Sequence, residues 1–200
     1  MKVLSPTPNT TTAHPDIMPD DVMGSMQEID MANKSSDNVE IRKSGAFGWG
    51  VFAKTTIPKG TVVFTGRLLA ISDKQNTHTI QTTLDEHVLM DLPARYSNHM
   101  CASDNLGLRI PPDENHYLKG GDAVYDFVAK RDIFPSEELT WDYETTEVKI
   151  KNFPSCKCGS SKCRGQVLGF REHWKQVVED HGREWVAPFL LEAINDMECD

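Results

Sequence analysis

Three cysteines crowd into the ten residues CKCGSSKCRG, at Cys156, Cys158 and Cys163. Thiolates at this spacing are good ligands for a soft divalent metal, since Cys156 and Cys158 come from one turn and Cys163 follows close behind. A structural zinc takes four ligands in a tetrahedron, so one is missing. The chain offers Cys101, Cys199 and seven histidines for that place. Cys199 is next to the last residue, where chain ends fray. Cys101 lies in RYSNHMC, among polar residues between strand-like runs. The bland alternative is three incidental reduced thiols.

These residues must be held by something, and the middle of the chain reads as mostly β. NVEIRKS, GVFAKT, TVVFTGRLLAI, HTIQTT, HVLMDL, AVYDFVAKRDI and ELTWDYE are rich in Val, Ile, Thr and aromatics and read as strands. IPKG and FPSEE read as tight turns between them. The runs follow one another too closely for βαβ crossovers, which predicts a compact mostly-β domain. C-terminal helices follow it. REHWKQVVEDHG should end near Gly182, and PFLLEAINDM should start at Pro188, a first-turn position. Phe170, Trp174, Val177 and Val178, then Trp185, Phe189, Leu190 and Ile194, fall near helical spacing and should pack on the domain. Residues 1–37 hold four prolines and no aromatic side chain, and read as a disordered segment. One weak exception is an amphipathic turn or two around Met18, Met23, Met26 and Met31.

The chain has 200 residues and a formal charge of −9. The acidic excess sits at the ends, with seven acidic and two basic residues in 1–40 and eight acidic and three basic in 171–200. Acidic ends argue against direct nucleic-acid binding, which needs clustered Lys and Arg, and suit a basic polypeptide partner. Five cysteines, no leader-like start and no apolar run long enough for a bilayer predict no membrane association. They point to a reducing intracellular compartment, nucleus or cytoplasm alike.

Six stretches stand in one order: GWGVFA (48–53), IPKG (57–60), FTG (64–66), RYSNHMC (95–101), AKRDIFPSEELTWDY (129–143) and CKCGSSKCRG (156–165). Singly each is weak. Together they resemble the SET-domain lysine methyltransferases with a post-SET zinc motif. The resemblance implies a SET domain over 38–148, a post-SET motif over 149–168 and a helical extension over 169–200. Its fold is a set of small curved sheets in which the NHMC and ELTWDY stretches form a knot-like crossing. The resemblance also supplies the missing ligand, giving one structural zinc on Cys101, Cys156, Cys158 and Cys163. Four thiolates would leave no open position, so this metal would pin the post-SET segment rather than do chemistry.

The implied activity is S-adenosylmethionine-dependent methylation of a lysine on a basic polypeptide, for which histone tails are the family's example. Gly48, Trp49 and Gly50 would meet the cofactor through their backbone, since glycine permits close approach. Asn98 and His99 would hydrogen-bond its adenosine part, and Tyr143 would be the catalytic tyrosine. Phe64 and Trp141 would line the lysine channel. Taken alone, His99 reads as a satisfied structural histidine and Tyr143 as a packed strand tyrosine.

Three positions depart from the family pattern. Phe64 replaces a common tyrosine, Trp141 stands where Phe or Tyr tunes the degree of methylation, and Met100 replaces a serine beside a longer loop. These departures favour, as rivals, a non-catalytic SET module that binds a peptide or partner. Methylation of a non-histone protein or of a small amine is compatible with the short insert 67–94. A zinc-bearing nucleic-acid binder fits least, for want of a basic stripe.

Overall fold

A computed structural model of the chain describes residues 24–45, 48–72, 74–151, 153 and 155–197. Residues 1–23, Met18 and Met23 among them, and Cys199 lie outside these. The order of elements is α1 (Met26–Ser35), β1 (Val39–Ser44), β2 (Gly48–Ala53), β3 (Val62–Ser72), β4 (Thr79–Gln81), β5 (His87–Met90), β6 (Asn98–His99), β7 (Leu106–Arg109), β8 (Ala123–Ala129), β9 (Thr140–Trp141), α2 (Phe170–His181) and α3 (Pro188–Met197). The protein is mostly β, as expected, with its two long helices at the C-terminal end.

The main sheet is antiparallel with strand order β4-β5-β3-β8-β7. Its spine is β3, eleven residues long, whose pairing slips between Leu68 and Ala70 against β5 and twice against β8. Each slip is a bulge that bends and twists the strand, which is why the sheet curls. A separate hairpin pairs β1 with β2 in register from Val39↔Ala53 to Ser44↔Gly48. The third sheet has only two strands, β6 and β9, in parallel register Asn98↔Thr140 and His99↔Trp141. Such short strands survive through side-chain bonds between the same segments. Ser97 Oγ donates to Leu139 O at 3.1 Å and Ser103 Oγ to Thr140 O at 2.6 Å. Asn105 Nδ2 donates to Glu138 O at 2.7 Å.

Two apolar cores result. The larger gathers Val51, Ile57, Val88, Tyr125, Phe127 and Ile133 between the sheets. The smaller gathers Phe170, Val177, Val186, Leu190 and Ile194 from the C-terminal helices and seats them on Val148. Each fully buried side chain of this size contributes roughly 1.5–3 kcal/mol. Trp185 packs on Gly107 of β7, on the domain as expected, from the 3-10 turn Arg183–Trp185 rather than from a helix.

Three expectations are corrected. Residues 24–37 are not disordered: they carry α1, so the turn expected around Met26 and Met31 is present and extends to a helix of ten residues. Ser25 and Glu28 form a capping box, and Ile29 enters the larger core. Asn33 then pins α1 to β1, accepting from Ile41 N–H at 2.6 Å and donating to Ile41 O at 2.9 Å. ELTWDYE is a strand only at Thr140–Trp141, because the Asp142 carboxylate accepts from Glu144 N–H and turns Tyr143–Thr145 into a 3-10 turn. The stretch LGLR, not read as a strand, is β7.

Candidate functional site

The parallel crossing of β6 and β9 delivers its side chains to one cavity of about 1070 Å³. On its walls stand Arg95, Asn98, His99, Trp141, Tyr143 and Phe153. The insert from Lys74 to His87 faces the segment from Glu147 to Cys158 across it.

Tyr143 is held at both ends. Its N–H donates to His99 Nδ1 at 3.2 Å and its hydroxyl to Ser97 O at 3.1 Å. Its ring lies 4.7 Å from that of Trp141 and at 90° to that of Phe153. Burial raises the phenol far above its ordinary pKa, with Glu147 and Glu138 adding to the shift, so the hydroxyl keeps its proton. Trp141 in turn stacks edge-on against Phe127 at 6.2 Å.

The placement of the other expected residues is mixed. Phe64 packs on Phe127, 4.6 Å between rings, behind Trp141 and off the cavity wall. Gly48, Trp49 and Gly50 are also off that wall and reach it through Asn98. The Asn98 amide donates to Trp49 O at 2.9 Å and to Glu138 Oε1 at 2.7 Å, so its N–H groups are used inside the protein. Gly50 has to be glycine there, because a Cβ would stand 2.4 Å from Glu138 Oε1 and 3.0 Å from Asn98 Nδ2.

His99 likewise has both ring nitrogens engaged. Nδ1 accepts from Tyr143 N–H, so the neutral ring carries its proton on Nε2, which faces Cys101 Sγ at 3.2 Å. Burial pushes its pKa down to about 4 against the pull of the Asp142 carboxylate, keeping the ring neutral near pH 7.

Beyond His99 the cysteines converge. Cys101, Cys156 and Cys158 offer sulfurs which, together with a His99 nitrogen, all lie within 4.8 Å of one another. Cys101 and Cys156 sulfurs are 3.8 Å apart. Cys163 Sγ stands 3.7 Å from the Cys156 carbonyl oxygen. The Gly165 amide lowers its thiol pKa against the opposing effect of burial. Burial raises Cys101 and pushes Cys156 up to about 11. His99, Cys101, Cys156 and Cys158 form a donor set that fits zinc, and the expected ligand Cys163 stands outside that group, beside the Cys156 carbonyl.

The sequence reading missed three features of the cavity. Arg95 is only 9% exposed, and its Nε and Nη1 are buried without a hydrogen-bond partner among the described residues. Phe153 closes the aromatic wall, 5.9 Å from the His99 ring. Glu147 is buried and accepts from Gln81 N–H at 2.7 Å and Gln75 Nε2 at 2.8 Å, with His87 Nε2 at 3.2 Å. Arg95 stood inside a quoted motif and was passed over, whereas no sequence pattern marked the other two.

The curled antiparallel sheet and the parallel crossing that presents Tyr143 both lie within residues 48–144. Residues 48–144 match the family model described as SET domain, and the chain's homologues are histone-lysine methyltransferases. Among similar relatives is Histone-lysine N-methyltransferase SUVR4 of Arabidopsis thaliana, 29% identical over 157 residues, covering 60% of this chain and 30% of the relative. Another is an H3 lysine-9 specific histone-lysine N-methyltransferase of Schizosaccharomyces pombe, 30% identical over 166 residues, covering 66% of this chain and 33% of the relative. A solved structure of KRYPTONITE with mCHH DNA, an H3(1-15) peptide and SAH shares the fold at a TM-score of 0.52 and 23% identity, covering 65% of this chain and 29% of that one. The chain therefore spans about a third or less of the length of these relatives. No helix among the described residues is long and apolar enough to cross a membrane.

Proposed function

We propose that this chain is an S-adenosylmethionine-dependent protein-lysine N-methyltransferase of a reducing intracellular compartment, with a structural zinc. The observation that carries the reading is Tyr143, fixed at backbone and hydroxyl between Trp141 and Phe153 on the wall of the cavity. Arg95 supports the cofactor: its charge and unpartnered donors at the cavity wall suit an anionic group, such as the carboxylate of an amino-acid-bearing cofactor. The KRYPTONITE structure, which holds the demethylated cofactor, supports it by likeness of fold. Gly48, Trp49 and Gly50, with the backbone of Asn98 and His99, would form the rest of that pocket.

When bound, S-adenosylmethionine supplies the methyl group as a sulfonium electrophile. The chain's part is to present a neutral amine. A free lysine has a pKa near 10.4, and the aromatic wall of Trp141, Tyr143 and Phe153 excludes water and so penalises the ammonium form. Because the Tyr143 hydroxyl gives its own proton to Ser97 O, its lone pairs remain to accept an amine N–H. That leaves the amine lone pair free to point into the cofactor pocket, and positioning of this kind supplies much of the rate.

For zinc, Cys101, Cys156, Cys158 and Cys163 would be the ligands. His99 would donate from Nε2 to the Cys101 sulfur and orient it, as partners behind a metal ligand commonly do.

The substrate reading is a basic polypeptide, histone tails first, after the printed names of the relatives. The acidic ends of the chain agree with it. A second reading rests on the cavity mouth itself, where Lys74, Lys149, Lys151 and Lys157 outnumber Asp85 and Glu147. Those lysines suit a non-histone target with acidic flanks.

The test is transfer of labelled methyl from S-adenosylmethionine to core histones and to lysine peptides with acidic or basic flanks, with mass spectrometry of the product. Tyr143→Phe should lower turnover by about a hundredfold or more and leave cofactor affinity within about twofold. Equal turnover in the variant would remove Tyr143 from the chemistry. Absence of transfer and of cofactor binding would favour a non-catalytic peptide-binding module.

A further inference from the structure

We infer that helix α2 is part of the catalytic machinery: His173, with Arg164, positions Tyr143 by gripping the buried Glu144 carboxylate. The inference rests on the reading of Tyr143 as the catalytic tyrosine.

Tyr143 is flanked by two acids, Asp142 and Glu144, whose side chains are both 0% exposed. Two carboxylates so close together and out of water are tolerable only if each is compensated by donors and opposite charge. Asp142 takes two of its donors from inside 48–144, the N–H groups of Ala102 at 3.1 Å and Glu144 at 3.2 Å, whereas those of Glu144 come from beyond it. Every hydrogen bond to the Glu144 carboxylate among the described residues is made by 168–173. Leu168 N–H donates at 2.7 Å, Gly169 N–H at 3.0 Å and His173 Nδ1 lies 2.9 Å from both oxygens. Arg164 Nε stands 2.9 Å from Glu144 Oε2, an ion contact without hydrogen-bond alignment.

The carboxylate thus sits just ahead of α2, on the N–H groups of Leu168 and Gly169, while the N–H groups of Phe170 and Arg171 go to Glu147 O and Val148 O. The helix is shaped to make this contact. It leaves helical geometry at His173 (φ −122°, ψ 15°), the residue whose ring reaches Glu144.

Asp142 is held the same way. Arg164 Nη2 donates to Oδ1 at 2.6 Å and His181 Nε2 lies 3.0 Å from Oδ2, with Lys130 Nζ behind it at 2.8 Å from Nδ1. The short turn Tyr143–Thr145 is therefore gripped at both flanking acids by the segment 164–181, while the Tyr143 side chain meets Ser97 and the rings of His99, Trp141 and Phe153, and its carbonyl accepts from Thr146 and Glu147 N–H. A displacement of about 1 Å in a catalytic group can lower a rate by about a hundredfold. Release of α2 should misplace the hydroxyl without touching the cofactor pocket.

The experiment uses the full chain with 3-fluorotyrosine at 143, comparing His173→Leu, which cannot donate, with His173→Asn, which keeps an N–H donor. Four quantities are read: the ¹⁹F line of residue 143, kcat against KM for the peptide, affinity for S-adenosylhomocysteine and zinc content. His173→Leu should broaden or split the ¹⁹F line and lower kcat by about tenfold or more, with cofactor affinity and zinc content unchanged. His173→Asn should restore most of both.

A lowered melting temperature with an unmoved ¹⁹F line and wild-type kcat would reduce α2 to a structural buttress and overturn the inference. So would equal impairment in the two variants. Should His173→Leu fail to fold, Arg164→Lys, which keeps the charge but loses the fork between the two carboxylates, is read by the same measures. If the wild type transfers no methyl group at all, the methyltransferase reading fails, and the ¹⁹F line still decides whether α2 holds residue 143.

Discussion

Arg95 is the residue whose state in the free protein is hardest to justify without a ligand. A buried donor left unpaired costs about 1–3 kcal/mol, and a charged one more. Two guanidinium nitrogens of Arg95 are in that condition at the cavity wall, among the described residues. Its charge is felt by Asp91 and Glu28, but neither carboxylate is hydrogen-bonded to those nitrogens. Nε and Nη1 donate from opposite edges of the guanidinium, so a ligand carboxylate would relieve part of the penalty through one of them. Arg95→Met removes the charge while keeping much of the volume. It should weaken binding of S-adenosylhomocysteine by about tenfold to a hundredfold, following the roughly 1.5–3 kcal/mol of a charge-assisted hydrogen bond. Its melting temperature should stay level or rise, because an unpaired buried charge has been removed. Titration calorimetry and a thermal melt read both, and wild-type affinity in the variant would place the cofactor carboxylate elsewhere.

Among the elements, the join between β7 and the turn Arg183–Trp185 is the most exacting. A Cβ on Gly107 would stand 2.0 Å from Cε3 of Trp185, so the indole lies flat on the strand backbone. The ring is also covered by the Arg109 guanidinium at 4.5 Å and approached by Lys130 at 5.9 Å. Gly107→Ala should therefore lower stability by about 1–3 kcal/mol through overpacking, a loss of roughly 2–4 °C in Tm per kcal/mol in a chain of this size. Adding Trp185→Ala should cancel part of that loss, and strictly additive effects in the double mutant would mean the two do not touch. This join also marks the limit of what could be read from the chain. Alternating Val, Ile and aromatic residues announced β1 to β5 and β8, and Pro188 announced α3. In LGLRIPP the glycine and the prolines look like a loop, and the reason for Gly107 is a tryptophan 78 positions away. The strands β6 and β9 are two residues each, too short to carry a period. β6 is legible only as a motif, whereas β9 falls inside ELTWDYE, whose composition reads as a longer strand, and those motifs also point to Asn98, His99 and Tyr143. For α1 a signal existed in SMQE, a capping box, but composition outweighed it. Glu144, Phe153 and the α2 histidines acquire their roles from neighbours distant in sequence, which no local pattern encodes.

At the scale of the whole molecule, the two larger apolar cores are joined by polar contacts around Asp142 and Glu144 and by Trp185 on β7, and the cysteine cluster is the part of that join that a metal would govern. Cys101 belongs to the loop after β6, while Cys156, Cys158 and Cys163 belong to the tail that also carries Arg164. The tail has little regular structure of its own: Cys156 N–H donates to Gly165 O at 2.8 Å, and residues 155–169 form no helix or strand. Its position next to Phe153 and the cavity therefore depends on cross-links to the core. Zinc on four thiolates would be such a cross-link, and its binding energy would be folding energy for the tail. Cys101→Ser removes the one ligand on the core side. Zinc content measured by mass spectrometry should fall to background, and hydrogen exchange should quicken by an order of magnitude or more across 155–169. The β3–β8 pairing, built on Tyr125 and Phe127, should keep its protection. A strong chelator should reproduce this pattern in the wild type. Methyl transfer should be lost with the metal, because the tail forms one wall of the cavity. Full zinc occupancy in Cys101→Ser would instead assign the metal to the tail cysteines and another donor, with His99 Nε2 the nearest in place.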